Sequence, residues 1–131
     1  MIRKLFIYKR LLLSMDKMSE LLIKAGVPKN TANVFAFLLD GEPRTARQIE
    51  RVVDLRQPEV SIALKNLHGF VSVTEQASEN KGRPNKVYRI SKKQGGAYLK
   101  RVADETQKEI DEIAANLEKI RGMIWGKWDE I

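Results

Sequence analysis

The stretch from Thr45 to Leu67, TARQIERVVDLRQPEVSIALKNL, constrains the fold most, because it reads as two short helices joined by a tight turn. Thr45 and Gln48 have the spacing of a capping box. Ile49, Val52 and Val53 follow as one apolar stripe at helical spacing, which predicts an inward face. Asp54-Leu55-Arg56-Gln57 interrupts the stripe, and Pro58, whose fixed φ and missing N–H suit a first-turn position, restarts a helix. Val60, Ala63, Leu64 and Leu67 then recur at i, i+3, i+4 and i+7 and face inward. Gln57, Pro58, Ser61, Ile62 and Lys65 are left on the opposite face, which is short, polar and slightly basic. Ile62 is an odd choice there for bulk water. One packed face and one row of free side chains is what a helix that reaches base edges needs.

Any small helical domain can hold such a helix pair, so the next segment matters. Gly69 ends the helix, and Phe70 to Thr74 and Lys86 to Ile90 alternate with β-branched and aromatic residues. Between them, SENKGRPN is turn-rich and carries Lys81 and Arg83. A hairpin with a basic tip directly after a recognition-type helix reads as a wing.

The charge distribution supports a polyanionic partner. The 131 residues carry a net charge of +7. Residues 1–25 hold six Lys/Arg against two Asp/Glu, and residues 42–91 hold nine against six. Residues 92–131 are balanced at eight against eight, so the excess lies at the N-terminus and on the helix–turn–helix and wing. There is no cysteine, which removes disulfides and thiolate metal sites and fits a cytoplasmic protein. The single histidine, His68, reads as a residue at a helix C-terminus rather than a ligand or base. No apolar run approaches a membrane span, and the N-terminus lacks a signal-peptide core.

Residues 1–25 are expected to be mostly helical, with Leu11, Met15, Met18 and Leu22 on one stripe and Arg3, Lys4, Lys9 and Arg10 available to phosphate. Gly26 is a stop signal. Pro28 opens an apolar helix expected to run to about Asp40, with Ala32, Val34, Phe35, Leu38 and Leu39 in the core, until Gly41-Glu42-Pro43 breaks it. From Lys92 the pattern changes. Gly95-Gly96 is expected to fray the start of a helix. Leu99, Ala103, Thr106, Ile110, Ile113, Leu117, Ile120 and Ile124 then follow at alternating steps of four and three, a heptad seam with charged residues on the other faces. A helix folded onto its own domain is the simpler alternative, but a regular stripe this long and narrow predicts self-association. The direction of pairing stays open. Gly122, Trp125, Gly126 and Trp128 suggest fraying or a separate contact at the end.

The expected fold is mainly α with a small β-hairpin wing: a basic helical segment over 1–25, a winged helix–turn–helix over 26–91 and a long C-terminal dimerisation helix over 92–131. The run from Leu21 to Val71, LLIKAGVPKNTANVFAFLLDGEPRTARQIERVVDLRQPEVSIALKNLHGFV, together with Lys81-Gly82-Arg83-Pro84 and Val87-Tyr88, resembles the winged-helix domain of TrmB-like regulators and, more distantly, MarR-like ones. The landmarks are Gly26, Ala32, Val34, the turn at Gly41 to Pro43, Ala46, Ile49, Val60, Leu64 and Leu67. The resemblance covers about residues 21–90 and implies a DNA-binding transcription regulator, usually dimeric. It carries the recognition role onto Gln57, Pro58, Ser61, Ile62 and Lys65, and a minor-groove or phosphate role onto Arg83. TrmB proteins proper continue into a large sugar-binding domain, whereas this chain has one helix there, so effector binding stays open.

The expected function is thus sequence-specific binding of double-stranded DNA by a homodimer. Ser61 and Lys65 would donate to base edges, Gln57 could read adenine and Ile62 could meet a thymine methyl. Lys81, Arg83 and Lys86 belong to the wing, with Lys86 and Arg89 read as backbone contacts or solubilising charges. Arg44, Arg47, Arg51 and Arg56 are phosphate candidates. A winged-helix protein-interaction module and a sequence-neutral architectural DNA-binding protein are the alternatives; fold alone does not separate them. No nucleophile–base–orienter set, Gly-rich phosphate loop or metal-ligand cluster is present in the sequence, so neither catalytic residues, nor metal, nor cofactor, nor membrane partner is expected.

Overall fold

The computed structural model describes residues 14–77, 82 and 84–126. Arg3, Lys4, Lys9, Arg10, Leu11, Lys81, Arg83 and Trp128, which carried sequence expectations, lie outside the described residues. Helix α1 is described over residues 14–24. It is followed by α2 (Lys29–Leu38), β1 (Arg44–Thr45), α3 (Ala46–Val53), α4 (Gln57–Asn66), β2 (Ser72–Gln76), β3 (Asn85–Arg89) and α5 (Lys92–Ile124).

Helix α2 is the hub. Thr31, Ala32 and the run Val34 to Leu38 are buried, so it is apolar nearly all round, as a central helix must be. It is shorter than the expected span, with Pro28 at the N-cap and Leu39 at the C-cap. Leu39 is half-buried at the edge of the core, not inside it. Around α2, the side chains of Ile49, Val60, Leu67 and Ile90 are almost completely enclosed.

Helix α3 begins as the sequence requires. The Thr45 hydroxyl accepts from the Gln48 amide at 3.2 Å and the Gln48 side chain accepts from the Thr45 amide at 2.9 Å. Val52 departs from expectation: it is 51% exposed. The eight-residue helix buries only Ile49 and tucks Val53 against the core. Val52, about 60° away around the helix, faces α1 and lines a cleft of about 770 Å³ with Met15, Met18 and Phe37.

The sheet is small and antiparallel, in the order β1-β3-β2. Ser72 pairs with Arg89 and Gln76 with Asn85 across the hairpin. The hairpin starts later than the expected Phe70, because Phe70 and Val71 pack against the core ahead of the strand. Strand β2 is exposed at every residue, so the ladder to β3 holds it. The two-residue β1, pairing Arg44 with Tyr88 and Thr45 with Val87, had no sequence signature.

Helix α5 runs unbroken for 33 residues, and the expected fraying at Gly95-Gly96 does not occur. Its start is locked by reciprocal bonds between Ser91 and Gln94. Gly95 is buried, and a Cβ there would lie 2.9 Å from Leu39 Cδ2. The missing side chain lets α5 approach the end of α2. One turn on, the Tyr98 ring lies 4.7 Å from Phe35 and 5.4 Å from Phe70, centroid to centroid. Burial raises the Tyr98 phenol pKa, partly countered by the Arg101 charge. The Thr106 hydroxyl donates to the Ala25 carbonyl at 3.1 Å. One side of the first four turns of α5, through Gly95, Tyr98, Val102 and Thr106, therefore packs on the winged-helix domain. At the far end α5 passes through Gly122 and stops at Ile124, with Trp125 as C-cap. There Arg121 is buried, and its Nε donates to Glu118 at 3.0 Å. That bond lowers the Glu118 pKa.

Candidate nucleic-acid interface

The turn between α3 and α4 is made by Asp54, whose φ of 54° is left-handed. Aspartate tolerates this conformation better than most residues. Its amide bonds to the Glu50 carbonyl, and the Leu55 amide shares that acceptor at 3.1 Å. Helix α4 then opens with Pro58 in its first turn. The Glu59 carboxylate accepts from the Arg56 amide at 3.1 Å, closing the helix start.

The two faces of α4 separate as the spacing requires. Val60, Ala63 and Leu64 are buried, and Leu67 completes the row just past the helix end. Gln57, Pro58, Ser61, Ile62 and Lys65 are all exposed, Ile62 at 60%. The structure thus gathers the five expected recognition residues on one open face.

Two polar ties hold α4 to α2, and neither was legible in the sequence. Asn30 Nδ2 donates to Glu59 at 3.3 Å near one end, and Asn66 Nδ2 donates to the Thr31 hydroxyl at 3.0 Å near the other. Each joins residues about thirty positions apart in the chain, beyond any local pattern. Together they fix the angle at which the exposed face is presented.

The arginines divide. Arg44 is half-buried and already partnered: its guanidinium bonds Asp40 at 2.9 Å and lies over the Phe37 ring at 5.2 Å. Asp40 thus already partners the charge of Arg44, which leaves it less available to phosphate than the unpaired arginines. Arg47 and Arg51 share one exposed face of α3, and Arg56 is exposed at the turn; none has an ion-pair partner among the described residues. In the hairpin, Lys86 is exposed and sits opposite Glu75. Arg89 is structural, its Nε donating to the Gly41 carbonyl at 2.6 Å. Lys81 and Arg83 fall outside the described residues, and Gly82 and Pro84 beside them are exposed.

Along α5, Leu99 is 45% exposed, and Ile110, Ile113, Leu117, Ile120 and Ile124 are each more than half exposed. Ala103 is exposed as well, whereas Thr106 turns toward Ala25. Among the described residues there is no group of three or more His, Asp or Glu side chains placed to hold a metal ion, and no helix long and apolar enough to cross a membrane.

No protein-family model and no curated protein matches the sequence. Solved structures match the fold. A transcriptional regulator overlays with a TM-score of 0.56 at 13% identity, covering 88% of this chain and 78% of its own. A possible transcriptional regulator from Methanosarcina mazei Go1 overlays with a TM-score of 0.54 at 20% identity, covering 76% of this chain and 86% of its own. A MarR-family regulator from Neisseria meningitidis overlays more loosely, with a TM-score of 0.47 at 18% identity over 89% of this chain and 81% of its own. The chain has the winged helix–turn–helix fold of transcription regulators, as its sequence resemblance implied.

Proposed function

We propose that the protein is a sequence-specific double-stranded DNA-binding transcription regulator that acts as a homodimer. The observation that carries this is the open face of α4: five exposed side chains of mixed donor, acceptor and apolar character on a helix clamped from behind at both ends. Such a helix enters the major groove, and its side chains meet base edges. Ser61 and Lys65 donate to acceptors there, Gln57 reads adenine, and Ile62 covers a thymine methyl. Arg47, Arg51, Arg56 and Lys86 are exposed cations that contact phosphate, the sequence-independent part of the affinity. Lys81 and Arg83 extend this set at the wing tip.

Lys65 separates reading from holding. It sits on the α4 face and has no ion-pair partner among the described residues, so Lys65→Ala removes a base contact without disturbing the fold. Losing a base contact costs about 1–3 kcal/mol at the position it reads. The expected result is relaxed preference at one or two base pairs of the bound site, seen by sequencing the duplexes that each protein retains. An unchanged profile rejects this orientation of α4.

A further inference from the structure

The cleft of about 770 Å³ between α1 and α3 takes no part in the contacts described so far. Its floor is apolar, made by Met15, Met18, Ala36, Phe37, Leu39 and Val52. Val52 lies half in solvent there, and Met15 and Met18 are only half-buried. Methionine side chains are flexible and polarizable, so they adapt to an incoming surface. An apolar strip rimmed by polar residues marks a place where something binds.

The rim on the α3 side is cationic. Arg51 is exposed there and has no ion-pair partner among the described residues. Asp40 answers one arm of the Arg44 guanidinium, but the Arg44 Nε has no acceptor among the described residues. Two arginines against one aspartate leave the described lining net positive.

Shape and charge together select the occupant. Ser14, Gln48, Arg51 and Val52 are all exposed, so the cleft is a trough open to solvent. A small-molecule site encloses most of its ligand. An open trough between two helices instead takes the apolar face of a third, anchored at i, i+3, i+4 and i+7. The positive rim calls for acids beside those anchors. The chain's own first thirteen residues carry four cations and no acid, the wrong sign for this rim.

We infer that the α1–α3 trough docks an acidic amphipathic helix of another protein. Its apolar face covers Met15, Met18, Phe37 and Val52, and its carboxylates meet Arg51 and Arg44. Arg51 is also one of the cations assigned to phosphate above. Resting on that reading, docking withdraws Arg51 from DNA and weakens duplex binding.

Three labelled synthetic peptides probe the full chain. One is an amphipathic helix with leucines at the four anchor positions and glutamates beside them. The second has the same composition in scrambled order, and the third has lysines in place of the glutamates. The first is expected to bind at least about tenfold more tightly than either control, because like charges across a contact are strongly penalised. Val52→Asp is expected to erase its advantage over the scrambled peptide, and Arg51→Glu to narrow the gap to the lysine peptide. Both side chains are exposed, so thermal unfolding should stay unchanged. Equal binding of the scrambled peptide, or binding untouched by Val52→Asp, would overturn the docking site. The chain has no cysteine, so Val52→Cys provides a single thiol in the trough. It is expected to react quickly with a thiol reagent and several-fold more slowly once the acidic helix is added. Slow reaction without peptide would overturn the proposal, and cross-link mapping from that thiol would identify residues 1–13 or a second copy as the cover. Labelled duplex separates the two claims. Peptide binding that leaves DNA affinity unchanged overturns the competition alone. A chain that binds the acidic helix but no DNA overturns the function proposed above and supports the docking site.

Discussion

Raising the salt from about 50 to about 200 mM is expected to weaken duplex DNA binding by roughly three to five decades. That is the loss for a protein that neutralises about 6–10 phosphates, because each phosphate contact releases condensed counterions whose return becomes easier as salt rises. The source of the charge is specific. Arg47, Arg51, Arg56 and Lys86 are exposed without ion-pair partners among the described residues, and two protomers double that set. Arg44 and Arg89 do not count toward it, since Asp40 and the Gly41 carbonyl hold them. Titrating a labelled duplex at a series of salt concentrations measures the slope directly. A flat response would remove DNA as the partner and favour a protein-interaction role for the winged domain.

The second large effect is expected at Ile113→Asp. Ile113 lies in the middle of the α5 seam, is 59% exposed in the single chain and makes no part of the domain core. Burying a large aliphatic side chain contributes about 1.5–3 kcal/mol, and the seam presents several of them in one stripe. A carboxylate at its centre forfeits that contribution and adds the cost of an unpaired charge in an apolar contact. The variant should sediment as a monomer whose helical content and thermal unfolding remain those of a folded winged domain. Its DNA affinity should fall by about two to four decades, the usual gain when a second binding event becomes intramolecular. A variant that stays dimeric would place the interface elsewhere.

Legibility of the chain in its sequence follows physical range. The α4 faces were readable because a 3.6-residue period sorts buried from exposed side chains without knowing the partner, and Val60, Ala63, Leu64 and Leu67 are sorted as their spacing requires. The Thr45–Gln48 cap was readable for the same reason: its two members are three residues apart. Gly95 was misread because two adjacent glycines look like a loose helix start, whereas the reason for a missing Cβ is Leu39, far away in the chain. The partners of Arg44 were not legible, because a lone arginine before a helix does not reveal the carboxylate and ring that receive it. Val52 followed its neighbours by spacing, yet in place it lines the cleft beside α1 instead of the core that encloses Ile49. The ties from Asn30 to Glu59 and from Thr31 to Asn66, which set the angle of the recognition face, arise only once α2 and α4 are packed.

The most direct test is selection of bound duplexes from a random pool by the unmodified protein at fixed salt. A homodimer with one α4 per protomer reads two half-sites related by a twofold axis, on one face of the DNA and about one helical turn or a multiple apart. Enrichment of an inverted repeat with that spacing is the expected result. Retention of all sequences alike, with no enriched motif, would contradict sequence-specific recognition and leave only a coating or bending role.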